Sequence, residues 1–397
     1  MKKIKFYTLG CKANQYDTQV MREDFLKKGF KESSNGVAEI HVVNTCVVTR
    51  KAENASRALI RKIKRLYPDS DIIIEGCLNI YDTPKGEVKK IPPRLAEQNI
   101  SFFAEHKRAF LKVQDGCDNF CSYCIVPYVR GRSRSKEADK INQEFSRLIA
   151  SGYKEIVITG ICLGDYGKGL PKLLNLAGLI EKLLKNKGEY RIRISSIDPQ
   201  YINGELLALI TRSDKICRHL HIPFQSGDDE ILNSMRRKYD SHFARTLVDR
   251  IRKEIKGISI TTDIIVGFPG EEETQFLNTV KFLEFLKPLK VHLFNFSPRK
   301  TTPAVGFTSK VKPSESRRRH KLINELENEW RREYLSRFVN KRFSVLVEGK
   351  MPGERDLYSG YSEYYFKAVF RAPENCTNNL VSVKGVEIKE DSLLCTL

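Results

Sequence analysis

The stretch AFLKVQDGCDNFCSYCIVPYVRGRSRS, residues 109–135, decides the fold of this chain. Its apolar start, FLKV, reads as a β-strand, and that strand runs directly into a loop carrying Cys117, Cys121 and Cys124 as C-x-x-x-C-x-x-C. A ligand-bearing loop at the end of a strand is the layout of α/β folds, whose chemistry gathers at the carboxyl ends of parallel strands. Four protein thiolates saturate a [4Fe-4S] cluster, so three leave one iron open to hold a small molecule. Zinc is the competing ligand, but it takes four Cys or His donors, commonly as two close pairs. Here no histidine lies near, and the chain has no second C-x-x-C.

Downstream, the strand candidates EIVIT, RIRIS, HLHI, ISITTDIIV and VHLFNF alternate with helical stretches such as residues 171–187 and 271–286. With FLKV they make six parallel strands, the pattern of a partial α/β barrel. Small or polar residues stand at the later strand ends: Gly160, Ser195, Ser196, Gln225 and Gly267. Such residues are ordinary turn chemistry, and they also let backbone approach a cofactor. Beyond a basic helix near residues 313–338, about sixty residues of short alternating strands predict a small antiparallel barrel. Its Tyr361 and neighbouring aromatics offer stacking faces to nucleic acid. Cys162, Cys217, Cys376 and Cys395 repeat no ligand spacing and read as buried small residues.

Upstream, KIKFYTLG, EIHVVNTC and DIIIEGC alternate with two helical stretches, predicting a parallel α/β domain. Cys11, Cys46 and Cys77 each stand at or just past the end of one of those strands. The fold then brings three sequence-distant thiols to one rim, a site for an iron–sulfur cluster or a zinc ion. Residues 78–108 are polar and proline-bearing and read as a linker with loosely organised remnants. The expected division is 1–90 for the first domain, 91–106 for the linker, 107–335 for the cysteine-loop core and 336–397 for the terminal barrel.

Lys and Arg number 69 against 49 Asp and Glu, a formal net charge of +20 among 397 residues. This balance points to a polyanion, with nucleic acid first. Arg130, Arg132 and Arg134 follow the cysteine loop directly, and Arg317, Arg318 and Arg319 form a second basic run; both runs are candidate RNA contacts. Neither an 18-residue apolar run nor a signal-peptide block is present, so a cytoplasmic, membrane-free protein with reduced thiols is expected.

The strings TLGCKANQYDT, VVNTCVVTRKAENASR, QDGCDNFCSYCIVPYVRGRSRS, EIVITGICLGDYG, RIRISSIDP, HLHIPFQSGDDEIL, ITTDIIVGFPGE and SPRKTTPA together resemble the radical S-adenosylmethionine (SAM) methylthiotransferases. Within them the chain is most similar to the branch acting on N6-threonylcarbamoyladenosine beside the tRNA anticodon. The resemblance implies a radical SAM cluster on Cys117, Cys121 and Cys124, and an auxiliary [4Fe-4S] cluster on Cys11, Cys46 and Cys77 that carries the sulfur to be transferred. Tyr123 matches the aromatic that faces the SAM adenine. The end of the chain resembles the RNA-binding TRAM domain. One SAM would methylate the sulfur and a second would give the 5′-deoxyadenosyl radical that removes hydrogen from C2. The implied partners are the tRNA anticodon stem-loop, an external electron donor and a sulfur source. Only 39 residues separate Cys77 from Cys117, where the family continues its first domain, so a shortened domain is expected.

Two other enzymatic readings share these features: methylthiolation of isopentenyl-type adenosine in tRNA, or of a ribosomal-protein aspartate. From a different class comes a non-catalytic iron–sulfur RNA-binding protein. SAM cleavage by the reconstituted protein separates that last reading from the enzymes.

Overall fold

The structure, a computed structural model, describes residues 2–78, 95, 98–104, 106–171 and 174–397. The end of the expected first domain and part of the expected linker lie outside the described residues.

The amino-terminal unit comprises β1 (Lys3–Thr8), α1 (Lys12–Lys27), β2 (Lys31–Glu32), β3 (Ile40–Thr45), α2 (Arg50–Leu66) and β4 (Asp71–Gly76). All pairings are parallel, in the order β2-β1-β3-β4. Runs such as Ile72–Ile74 are buried because this sheet is covered on both faces. α2 starts where the Thr49 hydroxyl accepts from the Ala52 N–H, meeting one of the amide groups a helix start leaves open. The three strands followed by Cys11, Cys46 and Cys77 are therefore neighbours, and their carboxyl ends share one rim.

The central unit comprises β5 (Ala109–Lys112), β6 (Gln114–Asp115), α3 (Val126–Arg130), β7 (Arg134–Ser135), α4 (Ala138–Ala150), β8 (Glu155–Thr159), α5 (Leu176–Leu184), β9 (Arg191–Ile194), α6 (Gly204–Arg212), β10 (His219–His221), α7 (Asp229–Ser234), α8 (Ser241–Glu254), β11 (Ser259–Val266), α9 (Glu273–Leu286), β12 (Lys290–Asn295) and α10 (Pro313–Ser336). The parallel sheets β5-β8-β9 and β10-β11-β12 are joined by bridges Ile192–Ile216 and Ser196–His221. The result is the expected six-strand open barrel. One apolar core, from Ile100 and Phe103 to Ile323 and Trp330, fills the space between strands and helices.

The chain ends in β13 (Arg342–Lys350), β14 (Leu357–Ser362), β15 (Lys367–Arg371), β16 (Leu380–Lys389) and β17 (Ser392–Thr396), a closed barrel ordered β13-β14-β15-β17-β16 with its own core. Because strand side chains alternate, Ile192 and Ile194 face the helices while Arg191 and Arg193 face the lumen. Both arginines bond Glu155, at 2.6 and 2.7 Å, and donate to the Tyr361 and Ser362 carbonyls of the terminal barrel at 2.7 and 2.9 Å. Tyr365 stacks on His219 at 4.5 Å. The terminal barrel thus stoppers the amino-terminal mouth of the larger one.

Burial raises the Glu155 carboxyl, but Arg193 and Arg191 override it and hold it well below the usual carboxylate range. A depressed carboxyl contributes stability that is present above its ordinary value, 4.5, and lost as pH falls toward the folded value. Glu155→Gln is expected to lower stability by about 3–5 kcal/mol, because it leaves buried guanidinium groups uncompensated. Denaturant titration at neutral pH measures this. A midpoint within error of wild type would show that the terminal barrel's carbonyls suffice for the arginines.

Candidate active site

The cysteine loop is pinned by backbone contacts before any ligand is considered. Ser122 N–H donates to the Met235 carbonyl (3.0 Å), Ser122 Oγ to that of Ser234 (2.7 Å), and Ala304 N–H to that of Ser122 (2.9 Å). Cys124 N–H closes a turn on the Cys121 carbonyl at 3.0 Å. Arg237, which the sequence patterns do not reveal, donates to Cys121 Sγ at 3.4 Å and is held by Asp198 at 2.6 Å. Tyr123 packs among Ile231, Met235, Ile265, Phe268 and Ala304.

At the opposite rim, Cys11 caps the start of α1, and Cys46 and Cys77 directly follow β3 and β4. A side chain at Gly10 would meet Cys46 Cβ and Sγ at 2.8 and 2.9 Å, so glycine there lets the Cys11 turn close on Cys46. The segment after the cysteine loop packs on the core beneath the other rim. Ile125 and Val129, just past Cys124, pack on the cluster of Val47, Cys77 and Leu78.

Burial pushes the Cys124 thiol up to about 12 and that of Cys77 up to about 11, and it raises Cys46 as well. Loading either rim with a cluster therefore releases protons. A single tetrahedral zinc, with Zn–S near 2.3 Å, would draw its sulfurs to within about 3.8 Å of one another. Among the described residues neither triplet brings three sulfurs within 4.8 Å. Soft donors at this wider spacing fit a polynuclear cluster.

Cys162 is not incidental to this site. It lies beside Cys117, and the interaction of the two thiols draws Cys117 below its ordinary value while, with burial, it drives Cys162 far up. Asn119 Nδ2 also donates to Cys162 Sγ, at 3.6 Å. Only the fold brings β8's end to the loop, so spacing carried no signal. Two buried carboxylate oxygens nearby, Asp165 Oδ2 and Asp198 Oδ1, have no donor among the described residues and can accept from a bound ligand.

The strand-end residues divide. Ser195 Oγ is spent on Thr159 at 3.3 Å, Ser196 bridges to His221, and Gly160 abuts Gln114. Gln225 takes φ +67° with its N–H on the Asp263 carbonyl at 2.8 Å. Gly267, φ +74°, donates its N–H to Glu271 at 2.6 Å, and a side chain there would meet Ser316 Oγ at 2.5 Å. The close approach Gly267 permits is thus to α10.

Two expected RNA contacts are corrected. Arg130 is 6% exposed, pairing with Asp17 (3.0 Å) and Asp115 (3.2 Å) beside Cys77. Arg319 is 3% exposed on Glu271 at 2.8 Å. Both are consumed by internal partners. Tyr361 is half-buried at the seam between the barrels, with the Arg108 guanidinium 4.9 Å from its ring. Arg318 is half exposed but paired with Glu315 and Glu273. Arg317 is exposed, and Arg132 and Arg134 remain accessible at the loop, on Asp118 and Asp115.

Residues 111–283 match the family profile of the radical SAM superfamily, and residues 3–96 that of the uncharacterized protein family UPF0004. The chain is 34% identical to a threonylcarbamoyladenosine tRNA methylthiotransferase, MtaB, of Bacillus subtilis (strain 168), covering 97% of this chain and 94% of that one. It is 37% identical to the protein of the same name from Chlamydia pneumoniae, with 98% and 97% covered. It is also 32% identical to a tRNA-2-methylthio-N(6)-dimethylallyladenosine synthase of Moorella thermoacetica, with 96% and 95% covered. In fold it is similar to the radical SAM methyltransferase TsrM of Kitasatospora setae, with a TM-score of 0.54 at 13% identity over 76% of this chain and 77% of that one. Matched along nearly its whole length, the chain belongs to the radical SAM tRNA methylthiotransferases, enzymes that work with SAM and [4Fe-4S] clusters.

Proposed function

We propose that the chain inserts a methylthio group at C2 of N6-threonylcarbamoyladenosine at position 37, beside the anticodon. The observation that carries this reading is the packing of the segment after the cysteine loop on the unit that bears the other rim, through Ile125, Val129 and Arg130. Cys117, Cys121 and Cys124 hold the SAM-binding cluster, and Cys11, Cys46 and Cys77 the auxiliary one. The bound groups supply reductive SAM cleavage and a sulfur to be methylated and transferred.

The chain's own residues do the positioning. Arg237 donates to the Cys121 sulfur, and Asp165 and Asp198 offer acceptors to SAM. Tyr123 lies against the adenine of SAM, near Ser196 and Gln225. The stopper of Arg191, Arg193 and Tyr365 keeps water from entering below. Arg132, Arg134 and Arg317 meet the anticodon stem-loop, and the terminal barrel acts as a TRAM-like RNA-binding domain. The electron donor and sulfur source are external, and the enzyme works in the cytoplasm, where the tRNA is; among the described residues no helix is long and apolar enough to cross a membrane.

The choice of substrate rests on the relatives named for threonylcarbamoyladenosine, 33–37% identical against 30–32% for those named for dimethylallyladenosine. Nucleoside mass spectrometry of a deletion strain tests it. Loss of 2-methylthio-threonylcarbamoyladenosine, restored by the gene, is expected. A strain that keeps it without a second enzyme, or loses the dimethylallyl product instead, would overturn the assignment.

A further inference from the structure

Three side chains on adjacent lumen strands remain outside both thiol rims and outside the stopper. His221 ends β10, Asp263 lies midway along β11 and His292 near the start of β12, with Asp263 and His292 paired in register. One donor atom from each lies within 4.8 Å of the others. His221 Nε2 is 3.1 Å from Asp263 Oδ1, and the two side chains are 14% and 23% exposed. Below this layer His219 stacks on the stopper's Tyr365. Above it stand Ser196, bridged to His221, and Gln225, bonded to the Asp263 carbonyl.

The protons of this group can be assigned. His219 Nε2 and His221 Nδ1 both bond Thr261 Oγ1, at 2.9 and 2.8 Å, and His219 Nδ1 is buried without a partner. An N–H there would be an unmet buried donor, which is costly. His219 therefore carries its proton on Nε2 and donates to Thr261. Thr261 then donates to His221 Nδ1, and His221 Nε2–H donates to Asp263. Asp263 is left as an oriented carboxylate, and His292 makes no hydrogen bond among the described residues.

Lys12, next to Cys11, acts on this group through its charge. It is half-buried, has no ion pair among the described residues, and its charge reaches both His292 and His219. A metal ion is a poor occupant, because His221 Nε2 already bears a proton and Lys12 would repel a second cation. A ligand that combines N–H or O–H donors with a carboxylate meets every group.

We propose that Asp263, His292 and Lys12 form the subsite for the substituent on N6 of the target adenine, taking one that carries amide or hydroxyl donors and a carboxylate. This rests on the function proposed above and identifies what would discriminate its substrate. Asp263, positioned by His221, accepts the donors, and Lys12 and His292 face the carboxylate. An aliphatic substituent would leave Lys12, His292 and the second oxygen of Asp263 without partners, and a site built to hydrogen-bond rejects an analogue lacking the polar group far more strongly than an apolar pocket rejects an extra one.

The test uses the reconstituted enzyme on anticodon stem-loops bearing threonylcarbamoyl- or dimethylallyl-adenosine. Wild type is expected to favour the first in kcat/KM, and Asp263→Asn, His292→Phe and Lys12→Met each to cut that preference by about 10²-fold. Iron content and melting temperature are measured in parallel. A preference unchanged in all three variants overturns the subsite while leaving the proposed function standing. A wild type that modifies only the dimethylallyl loop sinks both. A stoichiometric extra metal in wild type, lost in His292→Phe, overturns the subsite in favour of a cation.

Discussion

Cys121→Ala is expected to abolish reductive SAM cleavage and to lower the iron content from about eight per chain to about four, with tRNA binding kept. Cys121 is held by the turn to Cys124, by Arg237 on its sulfur and by Ser122 on the α7 carbonyls. Its loss removes one of three thiolates from a rigid loop that has no spare donor on that side. Cys162 is the informative control, because it lies beside Cys117. Cys162→Ala is expected to keep the iron and the cleavage, since an iron closed by a fourth thiolate could not take SAM. Iron assay and chromatography of 5′-deoxyadenosine check both variants. Cleavage that survives in Cys121→Ala, or iron that is lost with Cys162, would show that the ligand set is misassigned.

Arg130→Ala is expected to destabilise the chain by about 3–5 kcal/mol, since removing one member of a buried charge network strands the others. The guanidinium spans two units: it bonds Asn14 and Asp17 on α1 and Asp115 beside the cysteine loop. Asp115 is held far below the ordinary carboxylate range despite its burial, by Lys112 first and then by Arg130. Arg130 also lies on Cys77, whose thiol it lowers against the effect of burial. Arg130→Lys should recover little, because an ammonium lacks the planar fork that lets one guanidinium bond Asn14, Asp17 and Asp115 together. Urea denaturation with iron counting separates the roles: a stability loss with both clusters intact would limit Arg130 to a fold contact. No loss at all would mean Lys112 alone neutralises Asp17 and Asp115.

The strand and helix order was legible because the alternation of apolar runs with amphipathic stretches is a local property. Strand-end cysteines were legible for a related reason. In parallel sheets every carboxyl end faces the same side, so Cys11, Cys46 and Cys77 share a rim whatever the loops between them do. The cysteine loop needed only its spacing.

Pairing and burial are long-range and left no trace in the spacing. Arg130, Arg132 and Arg134 look alike in sequence, yet the first is buried on two aspartates while the second is 76% exposed. Arg319 differs from Arg317 by facing Glu271 across the helix. Tyr361 stands half-buried at the seam, beside Arg108. The sequence by itself determined the alternating α/β architecture, the terminal barrel and the two thiol triplets, because period and spacing act over a few residues. Only the tertiary structure decided which charges reach solvent, that Cys162 lies beside Cys117, and that His221, Asp263 and His292 form one polar layer, because those depend on which strands become neighbours.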